Sequence, residues 1–348
     1  MQSDVVQPDA APRLVERSPR PGARRLAGLA GGRAGALIIL VVLTVAFAVA
    51  TPDFFTQENL LNVLRQYSVP LMLAVGQTLV IVTRGIDLSV ASVAAMAGCL
   101  MTVGYSEWGL PMGVALLLGL AAGVGAGLFN GFAITRFRVP DFVATLGMLT
   151  AARGVALLLT DGVPVPSYDG GGEQRGIPSP VTTLGGDSLL GIPAIALVAL
   201  GCAIVGGVLL SRTTLGRSAY AVGGNPEAAE VSGIKVNRTK MAVYGLSGLF
   251  AAIAGFMLVG RQDSANALMG DGMELQAIAA VVIGGTNLFG GEGRVSGTLI
   301  GVLVIGVLAN GLTIVGVSDF WQRVVNGLII VAVVAIDQWR RRQLEKAA

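Results

Sequence analysis

Apolar residues run along this chain in blocks of roughly 20, the length that crosses a lipid bilayer as a helix, and polar residues gather between them. The blocks fall at about 35–51, 68–84, 88–105, 110–135, 141–160, 191–211, 241–260, 274–288, 295–315 and 319–338. Only helices and closed barrels satisfy their backbone groups inside lipid, and runs of this length are helices. The pattern therefore predicts an all-α polytopic membrane protein with ten transmembrane helices across residues 35–338. Residues 52–67 are expected outside as an interfacial helix, and 161–190 as a polar loop rich in Gly and Pro. The polar, Arg-rich residues 1–34 read as a disordered cytoplasmic tail, and 339–348 as a second cytoplasmic tail. Ala48-Val49-Ala50 has the small residues of a signal-peptidase site. The stretch before it is long and many spans follow, so the first block reads as an uncleaved anchor.

Charge orients the blocks. With both ends inside, nineteen of the 24 basic residues fall in cytoplasmic segments, and a miscounted span would scramble that asymmetry. The densest basic interval is Arg212–Lys240, with Arg212, Arg217, Lys235, Arg238 and Lys240. In its middle Asn225 suits a helix N-cap and Pro226 the first helical position. Glu227 and Glu230 favour the positive end of a helix dipole, and Gly233 can stop it. One exposed helix of two turns is predicted there. It is either a solvated loop helix or a docking helix for a cytoplasmic partner.

An internal repeat emerges on comparing the halves, about 68–160 and 241–338. Gly85-Ile86-Asp87-Leu88 opens one block and Gly272-Met273-Glu274-Leu275 another. Asn130-Gly131 matches Asn310-Gly311, Asp141-Phe142 matches Asp319-Phe320, and Gly147 pairs with Gly327. An odd number of crossings separates the copies, so they run in opposite directions, as in transporters whose substrate path lies between inverted halves. Asp87 and Glu274 each stand at the start of a block. Such carboxylates either cap a helix or gate a pathway, and Ser89, Asn130 and Asn310 are the polar candidates to line it. Arg153 lies well inside its block. It is a functional intramembrane charge or a side chain that snorkels to the outer surface.

Composition narrows the chemistry. Of 348 residues 53% are apolar and 13% charged, with mean hydropathy +0.72; a soluble domain carries about 25% charge. The 50 glycines allow close helix approach in lipid. The net charge of +3 belongs to the cytoplasmic loops and does not suggest nucleic acid. Cys99 and Cys202 lie inside apolar blocks and read as inert packing residues. There is no His, hence neither the commonest general base nor the commonest metal ligand. No catalytic residue, cofactor or metal is expected.

Two stretches carry a family resemblance. Thr214-Leu215-Gly216-Arg217, Tyr220 through Ala229 and Ser232-Gly233-Ile234 form the first. The second set comprises Gly85 to Ser89, Asn130-Gly131, Val139-Pro140, Phe142 to Met148, Ala279 to Gly285 and Gly290-Gly291 with Gly293. Together they resemble the permeases of ribose-type ATP-binding-cassette (ABC) sugar importers, from about residue 55 to 338. Asp141 departs from the resemblance, which leads one to expect a small or polar uncharged residue there. The resemblance implies that Asn225, Pro226, Glu227, Ala228, Ala229, Glu230, Ser232 and Gly233 belong to the surface that couples to an ATPase. It also implies a cytoplasmic ATPase subunit, an extracytoplasmic sugar-binding protein and a second permease chain, with a homodimer expected.

Three functions compete. An intramembrane enzyme lacks a plausible base or paired carboxylates. A self-sufficient secondary transporter or channel needs ionisable residues near mid-membrane, and apart from Arg153 the block centres are nearly free of charge. The membrane subunit of an ATP-driven monosaccharide importer needs a docking loop and a separate ATPase; no G-x-x-x-x-G-K-[ST] phosphate loop occurs in the chain. Aromatics are 5% of residues. Phe54, Phe55, Tyr67, Trp108, Trp321 and Trp339 fall at block ends, as in an interfacial belt. The pathway is then lined by small polar and apolar groups, which suits weak passage of an uncharged polar solute and leaves discrimination to a separate binding protein.

Overall fold

A computed structural model describes residues 33–166 and 176–318, with 320–325, 327–329, 331–332 and 335 beyond them. Nearly all of the two expected tails, Asp319 and part of the Gly/Pro-rich loop lie outside the described residues.

The chain is helical almost throughout. In order come α1 (Arg33–Ala50), α2 (Gln57–Val82), α3 (Val90–Ser106), α4 (Met112–Arg136), α5 (Asp141–Thr160) and the short α6 (Ser179–Gly186). A two-stranded hairpin follows, β1 (Ser188–Leu189) with β2 (Ile192–Pro193), antiparallel with Leu189 opposite Ile192. Then come α7 (Ala194–Arg212), α8 (Thr214–Gly224), α9 (Pro226–Val231), α10 (Val236–Gln262), α11 (Met273–Ile283) and α12 (Val295–Ile314). Among the described residues five helices, α4, α5, α7, α10 and α12, are long and apolar enough to cross a membrane. Three shorter apolar helices, α1, α3 and α11, accompany them. This is a polytopic membrane protein.

At the centre stands α10, packed against α2, α3, α4 and α6. The closest packing is with α4, whose Gly119, Gly123, Gly127 and Gly131 recur every fourth residue and so lie on one face. A Cβ at Gly127 would overlap the Tyr244 carbonyl, and one at Gly123 the Gly248 carbonyl. No hydrophobic force drives helix against helix in lipid, so backbone contact through small residues supplies the packing. The outer faces of α1, α4, α5 and α7 carry the exposed large apolar side chains, as lipid contact requires.

Three expectations need correction. Residues 57–67 are not a separate interfacial helix but the first turns of α2, which continues to Val82 through Pro70. Thr56 caps it, accepting from the Asn59 N–H, and α12 holds this first part: the Tyr67 ring lies against Gly306 and Asn59 pairs with Asn310. The expected span at 274–288 contains only the 11-residue α11, about 16 Å long against roughly 30 Å of hydrocarbon. It stops at Gly284-Gly285, where φ of Gly285 is 88° and Gly284 abuts Gly297 of α12. Finally, Phe54 is no interfacial aromatic; it is 1% exposed and packs on Phe47 with centroids 5.6 Å apart. Phe55, Trp108 and Trp321 are exposed.

Candidate functional site

The interval Arg212–Lys240 folds as two short helices and not one. Thr213 caps α8 by accepting from the Gly216 N–H, and Leu215, Ala219 and Val222 turn inward. The chain breaks at Asn225, whose Oδ1 accepts from the Ala228 N–H at 3.0 Å and so caps α9, with Pro226 in its first turn. Gly233, at φ 83°, ends the motif. Those local readings from sequence hold. Ala229 is buried beneath α9, while Glu227, Ala228, Glu230 and Ser232 are exposed. So is Val231, at 91%. Sequence reasoning missed it, although a β-branched apolar residue directly after Glu230 on a predicted exposed helix is a legible signal. A cleft of about 490 Å³ lies between Glu227 and Glu230 of α9 and Lys235 to Arg238 at the start of α10.

The pair α8–α9 is clamped to the body by its own helix end. Arg84 donates from Nε to the Gly223 carbonyl and from Nη2 to the Gly224 carbonyl, both at 2.6 Å, placing a cation on the negative end of α8. The Gly291 N–H donates to the Val82 carbonyl at 3.0 Å. A Cβ at Gly223 would overlap that same carbonyl, so only glycine permits the approach. From the other side the Tyr220 hydroxyl donates to the Gly293 carbonyl at 2.6 Å. Burial pushes this phenol above its ordinary range, against a smaller opposing pull from Arg294, which keeps it a donor.

Arg84 opens the loop that carries Asp87. Its carboxylate is 2% exposed and accepts at Oδ1 from the Ser89 N–H (3.0 Å) and hydroxyl (2.6 Å). Oδ2 accepts from the Ser247 hydroxyl of α10 at 2.9 Å. Asn130 of α4 donates to the Ser89 hydroxyl at 3.0 Å. Gln77 of α2, with its amide turned to suit, donates to the Asp87 carbonyl and accepts from its N–H at 3.0 and 3.2 Å. Asp87, Ser89 and Asn130 thus come together as sequence reasoning grouped them, while Gln77 and Ser247 were missed. Asp87 does not cap α3, whose N-cap Ser89 makes no side-chain cap bond; instead the Asp87–Ser89 pair ties α2, α4 and α10 to the start of α3 at one point.

Beside this knot lies Asp141, the residue that departs from the family resemblance. Its Oδ2 accepts from the Tyr244 hydroxyl at 3.0 Å and pairs with Lys240 at 3.3 Å, joining the start of α5 to the start of α10. Tyr244 and Thr145 both also reach the Ile86 carbonyl.

Glu274 and Asn310 do not join this cluster. Asn310 exchanges amide hydrogen bonds with Asn59 at 2.8 and 2.9 Å. Glu274 stands in the first turn of α11 with Oε2 buried and without a hydrogen-bond partner among the described residues. Nearby, Arg153 does not hang free. It donates to the Ala267 carbonyl and, at 3.5 Å, to the Met269 carbonyl, and pairs with Asp271 at 3.4 Å. It fastens the loop before α11. Among the described residues no group of three or more metal-ligating side chains occurs.

A bundle of close-packed apolar helices with a clamped pair of loop helices at one end is consistent with a transport permease. The chain matches the family model described as branched-chain amino acid transport system / permease component over residues 59–334. It belongs to that family. It is 42% identical over 304 residues to the ribose import permease protein RbsC of Bacillus subtilis (strain 168), covering 87% of this chain and 92% of that protein. It is 39% identical over 300 residues to the probable ABC transporter permease protein YphD of Escherichia coli (strain K12), covering 86% and 87%. To the fructose import permease protein FrcC of Rhizobium meliloti it is 35% identical over 316 residues, covering 88% and 85%. The resemblance to ribose-type ABC permeases is borne out. No solved structure matches the chain.

Proposed function

We propose that this chain is the membrane subunit of an ATP-driven ABC importer that passes a monosaccharide, a ribose-like pentose or a hexose, across the cytoplasmic membrane. The observation that carries the reading is 42% identity, over nearly the whole length of both proteins, to a ribose import permease. ATP hydrolysis belongs to a separate cytoplasmic subunit. An extracytoplasmic binding protein delivers the sugar, and a second copy of the permease completes the pathway.

Ten crossings in two inverted halves, the eighth made by the short α11 together with the non-helical residues after it, and both termini cytoplasmic complete the proposal. Support comes from the placing of the repeated motifs: Asp87 and Glu274 each precede or open a helix, and Asn130 and Asn310 each lie near the last turns of one. The coupling surface is α9 with its flanks, Asn225 to Gly233. Its support is the exposure of Glu227, Glu230 and Val231 on a helix whose neighbour, α8, is clamped by Arg84. Motion imposed on α9 reaches α8 and then the Arg84–Asp87 loop. Asp87, Ser89, Asn130, Glu274 and Asn310 would act at the two mouths of the pathway, the first three at the cytoplasmic one.

The test uses the complete importer in cells. Glu227→Arg with Glu230→Arg reverses two exposed charges, which costs the fold little. Normal insertion, lost uptake of radiolabelled ribose or xylose and weakened copurification of the ATPase are expected. Undiminished uptake would reduce α9 to a solvated loop. Single-cysteine probes at Leu190, 95% exposed, and at Ser232 check the orientation: the first labels from outside and the second only from inside. The reverse pattern overturns it.

A further inference from the structure

Between the second half of α7 and the start of α12 lies a groove of about 920 Å³. One wall is a stripe of α7: Leu200, Ile204 and Val208, spaced by four and 45%, 59% and 49% exposed, hence on one helix face. Val295 and Leu299 of α12 line it opposite. At the α8 end the groove closes on three exposed arginines, Arg212, Arg217 and Arg294, with one acid, Glu292, beside them. No ion pair engages any of the three arginines among the described residues. Tyr220, bonded to the Gly293 carbonyl, fixes the loop that presents Arg294.

We propose that this groove holds one anionic phospholipid, its acyl chain along the α7 stripe and its phosphate among the three arginines. Length supports it. From Leu200 to Arg212 the helix rises about 18 Å, close to the roughly 15 Å of one leaflet's hydrocarbon. Chemistry supports it too, because guanidinium forks match phosphate oxygens. Basic pockets between transmembrane helices on the cytoplasmic side take anionic headgroups, and the volume suits a bound ligand. A neutral lipid would leave three like charges uncompensated beside one glutamate. A second permease copy seated here would bring the same three arginines against their own images if the contact were two-fold. The cytoplasmic leaflet rests on the orientation proposed above; the lipid contact itself does not.

Native mass spectrometry of the purified, delipidated full chain with dioleoyl phosphatidylglycerol or dioleoyl phosphatidylcholine tests it. Phosphatidylglycerol is expected to stay bound at least tenfold more tightly. Each arginine near a membrane surface accounts for roughly a fivefold change, so Arg212→Gln, Arg217→Gln and Arg294→Gln together should weaken it roughly a hundredfold. Val208→Trp, which fills the groove without touching charge, should weaken it as well. Arg136→Gln with Arg138→Gln, outside the groove, should not. Equal retention of the two lipids, or parental binding by the triple variant, overturns the proposal. If Val208→Trp instead dissociates a permease dimer and leaves phosphatidylglycerol bound, a second copy covers the groove and the proposal also falls.

Discussion

The two Gly-x-acid-Leu stretches look alike in the sequence and end in opposite physical states. Asp87 is held by three donors from its own loop and α10, and its loop is knotted to four helices. Glu274 keeps one carboxylate oxygen buried and without a partner among the described residues, on an 11-residue helix whose preceding loop hangs on Arg153. A buried charge is stable only when its hydrogen-bonding capacity is used. The Asp87 end is therefore saturated, and the Glu274 end keeps one acceptor open among the described residues.

The largest expected effect breaks the saturated copy. Asp87→Ala orphans the buried Ser89 N–H and the Ser247 hydroxyl, at roughly 2–4 kcal/mol. Glu274→Ala removes a carboxylate already half unpaired and should cost under about 1 kcal/mol. Thermal unfolding of the two purified variants, followed by tryptophan fluorescence, measures the gap. Equal losses would abolish the contrast.

Next comes the packing that positions the Asp87 knot. Gly127→Ala drives a methyl into the Tyr244 carbonyl and should cost about 1–3 kcal/mol. Gly147→Ala, with open space around its Cβ position, should be neutral or slightly stabilising. Retention of the folded peak in size-exclusion chromatography after graded heating separates them. A tolerated Gly127→Ala would mean that α4 and α10 can part without penalty.

The smallest effect is at the edge of the knot. Lys240→Ala removes a partner of Asp141, but the pair is partly solvated, with side chains 18% and 20% exposed. Tyr244 also remains bonded to Asp141. A loss of about 1 kcal/mol or less in thermal unfolding is expected. A loss as large as that of Asp87→Ala would place the centre of the knot at Asp141.

Much of the local architecture could be read in advance because its causes lie within a few residues. Asn225, Pro226 and Gly233 cap, start and stop α9 through their own backbone and side-chain geometry. Helix α8 was missed since Thr214–Gly224 is short and broken by three glycines, and its inward residues find partners only once α2, α7 and α10 are brought around it. The break-up of the expected span at 274–288 depends on Gly284 meeting Gly297 of α12. Asp141 looked out of place because the residues that satisfy it, Lys240 and Tyr244, come 99 and 103 positions later.

By itself, then, the sequence determined the class: apolar blocks of bilayer length, a basic loop with a capped helix, and no phosphate loop. Each is a property of composition along one dimension, where lipid thickness and capping chemistry act directly. The tertiary structure alone decided which acidic residue is saturated and which is left with an open oxygen. It also decided where α2 begins and that three arginines from α7, α8 and the loop before α12 meet at one groove. Hydrogen-bond saturation and charge clustering depend on which helices become neighbours, and that is set by small-residue contacts between segments far apart in the chain.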